Sequence, residues 1–79
     1  MLKKIGAYNI TLYHSQSDCI YEGKIPYALL IIEKFDNNDN FLFKRSYYIR
    51  NTTGDTLPEF EEEADIEAFL RFPANSKLV

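Results

Sequence analysis

An α+β fold, a three-stranded antiparallel sheet with one C-terminal helix packed on one face, is predicted by three features of this 79-residue chain. Residues 3–13 and 41–50 alternate apolar and polar side chains with the period of two that marks a half-buried strand. Residues 27–32 are apolar on both alternating faces, as in a central strand covered on both sides. Beyond Pro58 the apolar residues recur at three- and four-residue spacings among acids, the pattern of an amphipathic helix. A chain of this length makes one small domain, residues 1–79.

Each element has its own local reason. In the first strand Tyr8, Ile10 and Leu12 lie on one side and Asn9, Thr11 and Tyr13 on the other. Residues 14–24 are polar, with Ser15, Ser17, Asp18 and Glu22-Gly23, the composition of a loop or a short, irregular hairpin arm. Pro26 lacks a backbone donor, which precludes regular central pairing at its own position. The second strand spans 27–35, and Asp36-Asn37-Asn38-Asp39-Asn40 then forms a hairpin loop, since Asp and Asn tolerate left-handed backbone and bond their own main chain. The third strand, 41–50, carries Phe41, Phe43, Tyr47 and Ile49 on one face, interrupted by Arg45, and Leu42, Lys44, Ser46, Tyr48 and Arg50 on the other. Short connections favour a meander with 27–35 in the centre.

After a loop at 51–55, either Pro58 opens the helix in its first turn or Asp65 caps a shorter helix beginning at Ile66. Residues 65–72 are read as helix. Residues 59–64 are its extension or a short extra strand. Pro73 ends the helix, and 74–79 are expected to fray. Leu29, Ile31, Phe43, Tyr47, Phe69 and Leu70 are the expected core between sheet and helix. Leu30, Ile32, Leu42 and Tyr48 then fall on the face that one helix leaves open, and a partner protein or a second copy is expected to cover them.

Catalytic and metal chemistry find no constellation to work with. Cys19 is the only cysteine and His14 the only histidine, so neither a transition-metal cluster nor a positioned nucleophile and base is legible. The three glycines, Gly6, Gly23 and Gly54, are isolated and make no phosphate-cradling loop. Asp36-x-Asn38-x-Asn40 begins like a calcium loop, but Phe41 stands where glycine belongs and Tyr47 where the bidentate glutamate belongs. The expectation is a non-enzymatic protein without metal or cofactor. No apolar run reaches the roughly 18–20 residues of a membrane-spanning helix. The N-terminus lacks the pattern of a secretory leader, and a single thiol suits a reducing cytoplasm.

Charge is the most informative feature left. Residues 1–54 hold seven Lys/Arg against five Asp/Glu, whereas residues 55–79 hold two against seven. Glu59, Glu61, Glu62, Glu63, Asp65 and Glu67 fall within nine residues. Such a run either solvates a helix face and favours its positive end, or steers the chain to a basic protein surface. With the exposed tyrosines it forms the expected partner-binding surface. An alternative is a small nucleic-acid-binding module, with Lys34, Lys44 and Arg50 beside Tyr48. The net charge of −3 and pI near 5.0 oppose direct nucleic-acid binding. A structural homodimer joined through the open face is the third reading.

In size, lone-domain organisation, want of catalytic motifs and a short sheet followed by an acidic helix, here Ala64-Asp65-Ile66-Glu67-Ala68-Phe69-Leu70, the chain resembles the small phage- and mobile-element-encoded anti-CRISPR inhibitors. The likeness is one of style along the whole length, with no shared motif, so it assigns no residue a role. It implies a stoichiometric blocker of a CRISPR effector's nucleic-acid-binding or nuclease surface, acting in the cytoplasm of a bacterial host.

Overall fold

A computed structural model describes residues 2–13, 20–22, 25–50, 59–73 and 76–78. The first alternating stretch is two strands, not one: a turn at Gly6-Ala7 separates β1 (Leu2–Ile5) from β2 (Tyr8–Tyr13), paired with Ile5 opposite Tyr8. Gly6 has a φ of 55°, the left-handed backbone that a two-residue hairpin loop asks of its glycine. A three-residue arm, β3 (Ile20–Glu22), then leads to β4 (Ile25–Phe35) and β5 (Phe41–Arg50). The helix α1 (Glu63–Arg71) follows, and β6 (Ser76–Leu78) closes the sheet against β5.

The architecture is therefore α+β with an antiparallel sheet and one helix, but the sheet is five strands across, in the order β1-β2-β4-β5-β6, not three. β3 takes up the same edge of β4 where β2 leaves it: Tyr13 pairs with Leu29, and Ile20 with Tyr27. Among the described residues Pro26 pairs only with β3, since the last described pair of β4 with β5 is Tyr27 opposite Arg50. A missing donor is tolerated where the strand has one neighbour. Both outer strands, β1 and β6, are short and carry lysines, which discourages further pairing at the edges.

Cross-strand register sorts the side chains. Ile10 pairs with Ile32, Leu12 with Leu30, Leu30 with Tyr47 and Ala28 with Ile49. These residues, with Ile5, Tyr8, Phe60 and Ile66, form the buried core, and Phe43, Phe69 and Leu70 pack against it. Leu30 and Ile32, at 1% and 0% exposure, thus belong to the helix-covered face and not to the open one. Leu29 and Ile31, expected in the core, are half-buried on the opposite side. The apolar run of β4 carries no alternation to choose between faces, and a one-residue change of register exchanges them. Tyr47, Phe43, Phe69 and Leu70 sit on the core side as expected. A register shift at Lys34/Phe35 pairs Phe35 with Phe41 and Lys34 with Phe43, so Leu42 is an extra residue between them.

The helix begins two residues before the expected start, and Asp65 is its third residue, not its cap. Glu62, extended at φ −129° and ψ 161°, is the N-cap. Acids in the first turn and Arg71 in the last complement the helix dipole. Phe72 donates its N–H to the Ala68 carbonyl, and Pro73 follows. Ile66 is fully buried, while Ala64, two residues earlier, is exposed. The expected fraying tail instead supplies β6, with Ser76 opposite Ile49 and Leu78 opposite Tyr47. His14, Cys19, Pro58 and the loop at 51–55 lie outside the described residues.

Candidate interaction surfaces

Glu59, Glu61 and Glu62 precede α1, and Glu63, Asp65 and Glu67 lie on it, all six exposed. Three of them hold the local structure together. Asp65 Oδ2 accepts the backbone N–H groups of Glu61 at 3.1 Å and Glu62 at 3.0 Å. Those bonds, the one from Glu61 first, hold its carboxyl below the usual carboxylate range. Glu62 supplies the N-cap, and Glu63 Oε1 accepts the Ala7 N–H at 3.3 Å. A Cβ at Gly6 would displace the Glu63 carboxylate, the far end of an exposed side chain, and the φ of 55° favours glycine there. Glu59, Glu61 and Glu67 remain, with no ion pair to another described residue.

Two further ties fix this acidic segment on the sheet. Lys3 Nζ donates to the Phe60 carbonyl at 2.8 Å, joining β1 to the stretch before the helix. Phe69 meets Tyr47 edge-on at 5.1 Å between ring centres and Phe60 at 5.5 Å, the favoured T-shaped geometry. At the far end of α1, Phe72 is 80% exposed.

The open face has the opposite character. Strand alternation places Lys4, Asn9, Thr11, Tyr13, Tyr27, Leu29, Ile31, Glu33, Lys44, Ser46, Tyr48, Arg50 and Lys77 on it. Tyr13, Leu29 and Tyr48 form one cross-strand row, and the Tyr27 and Tyr48 rings lie 6.3 Å apart. Glu33 is the only acid among these positions. Tyr48 is half-buried here, and Leu42 is 53% exposed at the register shift. The acidic segment and the tyrosines, expected to act as one surface, are on opposite sides of the sheet. Lys34 also leaves the expected basic face: its Nζ stands 5.2 Å from the Tyr8 ring, on the core side, as Arg45 stands 5.0 Å from Phe43.

A groove of about 500 Å³ runs between the Gly6-Ala7 turn, the β4–β5 loop and Glu63. Two of the carboxylates that line it, those of Asp36 and Glu63, are engaged in structure. Asp36 Oδ1 accepts the N–H groups of Asn38 at 2.8 Å and Asn40 at 2.9 Å, and Oδ2 accepts the Asn40 side-chain amide at 3.1 Å. The Asn40 backbone bond, then its side chain, then Asn38, lower the Asp36 pKa. Asp39 adopts φ 62°, the left-handed backbone expected of a loop residue of this type. Serine, threonine, cysteine and histidine are absent from the described lining.

Tyr13, Tyr27 and Lys4 escaped the sequence reading of the open face, because only the register joins them to Tyr48; the signal available was the parity of Tyr13 with Asn9 and Thr11. Compared with protein-family models, curated proteins and solved structures, the chain shows no match.

Proposed function

We propose that the protein is a non-catalytic interaction module that docks its acidic segment on a basic protein surface. The observation that carries this reading is the display of Glu59, Glu61 and Glu67 on a segment anchored by Lys3, Ala7 and the Phe60–Phe69–Tyr47 cluster, without a neutralising ion pair among the described residues. A fixed array of like charge steers association by raising the local concentration of an oppositely charged partner. The exposed Phe72, at the other end of α1, supplies an apolar contact of the kind that slows dissociation. The resemblance to anti-CRISPR inhibitors supports a CRISPR effector's nucleic-acid-binding surface as the partner, in a bacterial cytoplasm.

Surface plasmon resonance against purified effector–guide complexes tests this reading. Saturable binding is expected, with inhibition of target cleavage. The triple variant Glu59→Lys, Glu61→Lys, Glu67→Lys should associate about tenfold more slowly, with a weaker salt dependence. Absence of binding across the effector classes removes the proposed partner. An unchanged association rate in the folded variant removes the acidic segment.

A further inference from the structure

The open face of the sheet is a second surface, on the side away from the acidic segment, and its chemistry differs. We propose that it binds single-stranded nucleic acid, with Tyr13, Tyr27 and Tyr48 as stacking platforms and Lys4, Lys44 and Arg50 as phosphate contacts. Along β5, Lys44, Tyr48 and Arg50 share one face, so a cation stands on each side of the central tyrosine. At about 3.4 Å per residue the two cations are roughly 20 Å apart, a span that brackets several nucleotides. Across the strands, Tyr13 and Tyr48 flank Leu29, with Tyr27 beside Tyr48, a platform of aromatic and aliphatic surface toward the Arg50 end of that span. Aromatic platforms between cations match the two needs of an unpaired strand, base stacking and neutralised phosphates.

The net charge of −3, which opposes such binding for the chain taken as a whole, is unevenly placed. The acids of residues 59–67 are on the far side of the core, where salt screens them with a Debye length of about 8 Å. Glu33 opposes phosphate on the open face, and it lies directly across from Lys44, which offsets it. The same cations argue against a second copy as occupant. Stacking two open faces would bring Lys4, Lys44 and Arg50 of both copies into one interface, a net like-charge contact.

Fluorescence anisotropy with a labelled oligothymidylate of 20 nucleotides, a matching duplex and the full chain tests the proposal. The single strand should bind more tightly than the duplex, and weaken as salt rises from 50 to 200 mM. Lys44→Glu with Arg50→Glu, both at exposed positions, should lower affinity at least tenfold. Tyr48→Ala should lower it by about tenfold. Because Tyr48 is half-buried, Tyr13→Ala at an exposed position serves as the second aromatic variant. Glu59→Lys, Glu61→Lys, Glu67→Lys should bind the strand as well as or better than the parent, which separates this face from the acidic one. Three results each overturn the proposal: no binding at 50 mM salt, equal binding of duplex and single strand, or indifference to the charge reversal. Sedimentation showing a dimer that Lys44→Glu dissolves would assign the face to a second copy instead.

Discussion

Leu30 and Ile32 are buried between the sheet and α1, while Leu29 and Ile31, the same residue types one step back along β4, are half-buried on the open face. The two sides of one strand therefore contribute differently to stability. On the covered side, apolar atoms pack in one core with Phe60, Ile66 and Phe69 from another layer. On the other side they share a surface with tyrosines and cations. Residue type does not distinguish the two pairs; the register of β2 and β5, and the side on which α1 docks, do.

The largest expected effect compares those neighbours directly. Ile32→Ala should cost about 4 kcal/mol in urea unfolding, the sum of lost transfer energy and a cavity with close-packed walls. Ile31→Ala should cost about 1 kcal/mol, since no layer of described residues closes over it. Equal losses would break the distinction between the faces. Phe69→Ala should follow at about 3 kcal/mol, through loss of its contacts with Tyr47 and Phe60. Circular dichroism should then show loss of helix signal, because nine residues are too few to hold a helix without docking.

Fold class, the two long strands of the β4–β5 hairpin, the Asp36–Asn40 loop and the body of the helix were legible, because each has a local cause. Alternation, turn-forming residues and three-four spacing act within a few positions. The β1–β2 turn was obscured because it shifts the alternation by one residue, from Ile5 to Tyr8, and Ile5 is the one buried residue of β1 that records the shift. β6 was obscured for a different reason: three residues, Ser76-Lys77-Leu78, owe their strand conformation to pairing with β5, a tertiary cause. The acidic residues were found as a run, but their division into cap, tether and free display depended on Gly6, Ala7 and Lys3, more than fifty positions away. The face of β4 was illegible in principle, as both of its sides are apolar.

Smaller effects sharpen the account of how the acidic segment is held. Gly6→Ala should destabilise by about 2 kcal/mol, from a φ of 55° and the collision with Glu63. Adding Glu63→Ala should relieve the collision and return part of that loss, a coupling that a double-mutant cycle measures. Full additivity would mean that Gly6 and Glu63 do not touch.

The smallest effect is on acid stability. Asp36 and Asp65 are both depressed in the folded protein by the N–H groups they accept. Their contributions are complete above the unfolded carboxyl value of about 3.9, and are lost as pH falls through the lower folded values. Denaturation midpoints should thus decline as pH is lowered below about 5. Asp36→Ala and Asp65→Ala should each lower stability at neutral pH and flatten that decline; an unaltered slope in either variant would remove that carboxylate from the linkage.

Thiol accessibility tests the central claim, that β4 presents one side to the helix and the other to the outside. Single variants Leu29→Cys, Leu30→Cys, Ile31→Cys and Ile32→Cys, in a Cys19→Ser background, would be labelled by a thiol-reactive dye under native conditions. Positions 29 and 31 should react at rates approaching those of the unfolded chain. Positions 30 and 32 should react only as fast as the protein opens, with rates that rise with denaturant. Rapid native labelling at 30 and 32, with protection at 29 and 31, would contradict the register, the placement of α1 and the two-surface account built on them.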